Sequence, residues 1–172
     1  MASPELKPKP IVLGNRKKHI KSKTFLIAAT EPYHSHTAVK IGFVLYDYYP
    51  FGGLQEDCLA TALAVTERGH EAHIFTRTWK GDQPEGIHAH LLGKTGWSNI
   101  SRNDHFFRTL EQELPQHNLD GVVAFNRIPS ADVYFAADPC YVERVKNKSF
   151  FYKLKLRHRY YKALERTVFT AP

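Results

Sequence analysis

A short apolar run passes through a glycine loop into an amphipathic helix, and this succession leaves few folds open to the chain. Residues 39–46 are mostly apolar, as a buried parallel strand requires. The loop Asp47-Tyr-Tyr-Pro-Phe-Gly-Gly53 follows. Residues 54–68 then place Leu54, Cys58, Leu59, Ala62 and Val65 along one helical side, and Gly69 stands where a C-terminal cap belongs. The succession recurs in looser form. Residues 71–77, 87–92, 121–125 and 133–137 read as further strands. Ser101 is placed to cap a helix through Phe106, Phe107, Leu110 and Leu114, which Pro115 ends. Residues 150–169 read as a last, basic and aromatic helix. Strands alternating with helices predict an α/β fold: a Rossmann-like, mainly parallel sheet with flanking helices.

A length of 172 residues allows one domain with one sizeable core. Residues 1–38 contribute little to it. Pro4, Pro8 and Pro10 interrupt any helix, and a basic run covers residues 15–23, so a disordered extension is expected before a domain at 39–172. The net charge of +7 is segregated: residues 1–40 carry +6, residues 41–140 carry −6 and residues 141–172 carry +7. An acidic middle between basic ends argues against nucleic acid and for an anionic surface met by one part of the molecule. No apolar run approaches the ~20 residues of a membrane span, and residues 25–29 are too short for a signal-peptide core, so a cytoplasmic location is expected. Cys58 and Cys140, far apart, suggest neither a disulfide framework nor a structural zinc site.

Ligands of parallel sheets sit beyond the carboxyl ends of strands. That rule selects three loops. In the first, Gly52 and Gly53 let backbone approach a ligand, and the helix N-terminus behind them suits a phosphate or a sugar hydroxyl. A plain tight turn is an equal reading. Asp57, one turn into the helix, either binds a hydroxyl or complements the helix dipole. In the second loop, Asn126 and Arg127 follow an apolar strand; either the planar donor fork of Arg127 meets a phosphorylated acceptor or the segment is a surface loop in which Asp132 caps a turn. In the third, Asp138 is read as ending a strand before Pro139, either as an acid–base or oxocarbenium-stabilising group or as a turn residue.

His88 and His90 fall on one face of a strand, but no third ligand at metal spacing accompanies them, so no metal is expected. The chain has no nucleophile-elbow, kinase or DxD-like motif. In the last segment Lys153, Lys155, Arg157, Arg159 and Lys162 interleave with Tyr160 and Tyr161, and no acidic residue lies between Glu143 and Glu165. Such a segment suits an anionic leaflet, with bases at the headgroups and aromatic rings at the interface; the same ingredients serve an RNA groove, or a solvated helix whose apolar face lies in the core.

The motifs Leu45-Tyr-Asp-Tyr-Tyr-Pro-Phe-Gly-Gly-Leu-Gln-Glu-Asp57, Arg68-Gly-His70, Phe125-Asn126, Asp132-Val-Tyr-Phe-Ala-Ala-Asp-Pro-Cys-Tyr141, Tyr160-Tyr161 and Glu165-Arg166 together resemble the start of the lipopolysaccharide core glucosyltransferase I family. That family belongs to the retaining glycosyltransferases of family 4, with the GT-B fold. The resemblance runs from about Val39 to about Phe169 and implies the N-terminal, acceptor-side domain. It further implies transfer of glucose from UDP-glucose to a heptose of the lipopolysaccharide inner core, peripheral on the inner membrane and with no cofactor or metal. By the same resemblance Gly52, Gly53 and Asp57 match the loop near the sugar diphosphate, Asp138 the acidic residue near the transferred sugar, and the basic–aromatic segment the membrane-facing region. Glu56 departs from the pattern, since a basic or neutral residue is expected there. The family's second, nucleotide-binding domain is expected after this point. This chain alone is therefore expected to be inactive and to need a partner domain, for which a separately encoded chain is one source. The other reading is a non-catalytic module that binds anionic membrane or lipopolysaccharide surfaces.

Overall fold

A computed structural model of the chain describes residues 37–169, all within the unit Thr37–Pro172. The expected extension falls almost wholly outside the described residues. The elements run β1 (Lys40–Val44), α1 (Gly53–Thr66), β2 (Glu71–Thr76), β3 (Ile87–Leu91), α2 (Asn99–Glu113), a 3-10 turn (Leu114–His117), β4 (Gly121–Ala124), β5 (Val133–Tyr134), α3 (Tyr141–Val145), α4 (Phe150–Leu154) and α5 (Leu156–Phe169). All strand pairs are parallel, in the order β3-β2-β1-β4-β5. The Rossmann-like α/β fold is therefore observed as expected.

Alternation of side chains divides the core in two. Phe43, Leu45, Ile74 and Phe125 face one way and pack with Cys58 and Ala62 of α1. Val44, Phe75, Val122 and Ala124 face the other and pack with Phe106 and Leu110 of α2. Each large apolar side chain so buried contributes about 1.5–3 kcal/mol. Helix α1 ends as its sequence predicts: Gly69 takes φ +81° and its N–H bonds Thr66 O at 2.9 Å.

Three expectations need correction, and one short helix is not foreseen. The cap of α2 is Ser98, not Ser101; Ser101 sits three residues on and completes a capping box with it. Strand β5 stops at Tyr134, so Asp138 lies in an exposed loop and not at a strand end. The loop ahead of residue 150 contains a short helix, α3. The last segment is two helices, because Lys155 takes an extended conformation (φ −62°, ψ 138°) between α4 and α5. That break lets α4 expose Phe150, Phe151 and Leu154 while α5 buries His158, Leu164 and Glu165. One straight helix would have fixed these two faces relative to each other.

Candidate functional site

The strand order reverses between β1 and β4, so a crevice opens beyond their carboxyl ends. Its two loops are tied together. Tyr46 N–H donates to Asn126 Oδ1 at 2.7 Å, and the Tyr46 hydroxyl donates to Arg127 O at 3.2 Å. Burial pushes the Tyr46 phenol far above its ordinary range, which keeps it a donor.

Arg77 anchors the floor of this region and is only 8% exposed. It donates to Tyr46 O (3.1 Å), Asn103 Oδ1 (3.1 Å) and Asp47 Oδ2 (2.6 Å). Its guanidinium lies 4.6 Å from the centre of the Tyr46 ring. Asp47 also accepts from Thr78 Oγ1 (2.9 Å) and Lys94 Nζ (3.2 Å). Burial works to raise the Asp47 carboxyl, but bonds from Arg77, Thr78 and Lys94 outweigh it and hold the group below its ordinary range. Beside it, Tyr48 stacks on Trp79 with ring centres 3.8 Å apart.

The glycine loop follows. Phe51 takes φ +70° and is 93% exposed. A left-handed conformation costs a non-glycine residue about 1–2 kcal/mol. Two side chains crowd Gly52: a Cβ there would lie 2.2 Å from Gln55 Oε1 and 2.8 Å from Tyr49 Cε2, so both would have to shift. Gln55 itself folds back to donate to Asp47 O at 3.0 Å. Gly53, by contrast, faces open space. Among the described residues no side chain caps α1, so its first N–H groups are available to an anion. Asp57 is exposed one turn further on, next to the exposed Glu56.

On the opposite wall Arg127 is already engaged. It donates from Nη2 to Pro139 O (2.8 Å), and its Nε lies 3.3 Å from Glu165 Oε1. The latter is an ion pair without an aligned hydrogen bond, since Arg127 Nε has no hydrogen-bond partner. Glu165 also accepts the N–H groups of Tyr141 and Val142, the latter at 2.8 Å, and so caps α3. Asn126 and Arg127 thus hold the scaffold together, whatever else they bind. Asp138 is one residue before the carbonyl that Arg127 grips. A cleft of about 930 Å³ opens beside it, between α3 and α5, lined in part by Cys140, Val142, Lys162 and Phe169.

The basic–aromatic residues divide. Tyr160 donates to Asp104 Oδ1 at 2.9 Å and Tyr161 packs against Tyr141, so both anchor α5 to the domain. Lys153, Lys155, Arg157, Arg159 and Lys162 are exposed, next to exposed Phe150, Phe151, Leu154 and Leu156. No helix among the described residues is long and apolar enough to cross a membrane.

The structure adds to the reading of the histidines. His90 has neighbours that spacing along the chain does not reveal: ring nitrogens of His73, His90 and His117 lie within 4.8 Å of one another. Arg77 and His117 take roles that the sequence does not mark, and Glu165 stands out there only as part of the Glu165-Arg166 pair, not as a cap. No local pattern signals them, because their partners come from other elements.

The chain is 42% identical over 130 residues to lipopolysaccharide glucosyltransferase WaaG of Escherichia coli (strain K12). The match spans 75% of this chain and 35% of that protein. The crystal structure of WaaG, a glycosyltransferase involved in lipopolysaccharide biosynthesis, matches with a TM-score of 0.70 at 41% identity, over 74% of this chain and 35% of the other. No known protein-family profile matches the chain. The resemblance read from residues 39–169 is therefore borne out, and the chain spans about a third of its relative's length.

Proposed function

We propose that this chain, a relative of the lipopolysaccharide glucosyltransferases, is the acceptor-side half of a retaining enzyme that moves glucose from UDP-glucose to an inner-core heptose. The observation that carries this reading is the likeness to WaaG at 41% identity and a TM-score of 0.70. The switch-point crevice supplies the setting. The free N-terminus of α1, at Gly52 and Gly53, receives the sugar diphosphate, and Asp57 receives a sugar hydroxyl. Asp138 is the carboxylate that meets the transferred sugar. Arg127 and Asn126 shape the acceptor wall, and Arg127 reaches an acceptor phosphate by exchanging its Glu165 contact.

Charge that develops on departing UDP must be met by groups aimed at it. In this proposal they come from a second domain, so the chain turns over only when that domain closes the crevice. The basic and apolar surface of α4 and the start of α5 holds the domain on the cytoplasmic face of the inner membrane, where the acceptor lies. That surface also favours a second reading, a non-catalytic module for anionic membranes.

UDP release from UDP-glucose with heptosylated core acceptor tests the proposal. The chain is assayed alone and with the C-terminal domain of WaaG supplied. Turnover only in the mixture is expected. Silence in both, with the chain shown to be folded and the domains shown to associate, would leave the membrane module.

A further inference from the structure

Four imidazoles gather on the face of the sheet that α2 covers. In the parallel register His73 of β2 lies opposite His88 of β3, and Phe75 lies opposite His90. Side chains two apart share a face, so His73, Phe75, His88 and His90 all point the same way. The 3-10 turn after α2 then brings His117 onto them, 4.2 Å from the His90 ring centre and 5.2 Å from that of Phe75. His73 and His90 are coplanar within 5°, and His73 Nδ1 lies 3.0 Å from His90 Nε2. Two of the rings have a carboxylate behind them. His73 Nε2 is 3.5 Å from Glu71 Oε2, which Lys40 Nζ holds at 2.9 Å. His117 Nε2 is 3.7 Å from Glu113 Oε2.

This is what a nitrogen-ligated transition ion needs. A carboxylate on one ring nitrogen fixes the tautomer and turns the other nitrogen's lone pair toward the ion. His73 has Nδ1 free for that purpose and His90 has Nε2. Tetrahedral zinc holds nitrogens at 2.0–2.1 Å, which sets them about 3.3 Å apart. The His73–His90 nitrogens have only a few tenths of an ångström to open.

We propose that His73, His90 and His117 form a binding site for one zinc-class divalent ion, with the fourth position left to water. The ion takes the place of the N–H that now lies between His73 and His90, and that imidazole stays neutral by carrying its proton on the other ring nitrogen. The site has a structural consequence. Residues 77–86 join β2 to edge strand β3 without a crossover helix, and the ion would pin β3 and the 3-10 turn to β2.

The test titrates zinc into the untagged, chelator-stripped full chain at pH 7.5, by calorimetry and by thermal melting. One equivalent is expected, with the melting temperature raised by about 10 °C at a hundredfold excess over the dissociation constant. X-ray absorption should show imidazole nitrogens at about 2.0 Å. His90→Gln and His117→Gln should each lose the equivalent, and His34→Ala/His36→Ala should keep it. If His90→Gln fails to fold by circular dichroism, His117→Gln decides, because His117 lies on a half-exposed turn. No zinc-dependent shift, an equivalent that survives His117→Gln, or one that disappears with His34 and His36 would each overturn the site.

Discussion

Arg77 donates to Asp47 across 2.6 Å, and this bond joins the segment leaving β2 to the loop leaving β1. Both loops border the crevice. The guanidinium is buried, so its partner compensates a charge that water does not reach.

Arg77→Met removes that charge at similar volume, leaves Asp47 to Thr78 and Lys94, and takes the donor from the buried Asn103 Oδ1. We expect a loss of about 1–3 kcal/mol in urea unfolding. The same pair sets an acid limit. The Asp47 carboxyl is held low in the folded chain, so below its ordinary value near 4 the unfolded chain binds the proton first. Stability from Asp47 is fully present above about pH 4 and is lost as pH falls through the depressed folded value. The acid limb of a pH–stability curve should flatten in Asp47→Asn.

The two glycines of the first loop should separate. Gly52→Ala drives a Cβ into Gln55 and Tyr49 and should cost about 1–3 kcal/mol. Gly53→Ala enters open space at the first helical position and should leave stability unchanged or raise it by up to about 1 kcal/mol. Equal losses in denaturant melts would mean that Gly52 is not tightly enclosed.

Asp138 is exposed, so Asp138→Asn should not change the melting temperature. In the assembled enzyme it should lower kcat by roughly 10²–10⁴-fold. Unchanged turnover with glucose transfer intact would remove Asp138 from the chemistry.

Membrane attachment should depend on charge. On the proposed membrane attachment, Lys153, Lys155 and Arg157 should each contribute about 1 kcal/mol near an anionic leaflet, so changing all three to Gln should weaken binding to anionic vesicles roughly a hundredfold. Flotation in rising salt should release the wild-type chain. Equal binding to neutral vesicles would assign attachment to Phe150, Phe151, Leu154 and Leu156 alone.

The two thiols should react at different rates. Burial pushes the Cys58 thiol up to about 12, whereas Cys140 is exposed. A thiol reagent should titrate one group in the folded chain and two after denaturation.

Much of the architecture is legible in the order of residues. The apolar runs that become β1, β2 and β4 carry their own signal, and the face of α1 built on Cys58 and Ala62 repeats with helical period. The two loops of the crevice, after β1 and after β4, follow from those strands by the carboxyl-end rule. The break at Lys155 is not legible, because no proline or glycine marks it. The cap of α2 is ambiguous by one turn, since Ser98 and Ser101 carry the same chemistry.

Strand–helix alternation, the parallel sheet and the placement of Gly52 and Asn126 in loops are all written locally in this chain. Period, punctuation and side-chain type over a few residues set them. Three relationships are of another kind: Arg77 meets Asp47, Glu165 caps a helix 24 residues before it and holds Arg127, and His117 joins His73 and His90. They exist only in the folded molecule, because they depend on strand register and on the angle at which helices lie on the sheet. Both are set by the packing of the whole core, and no short stretch of the chain contains that information.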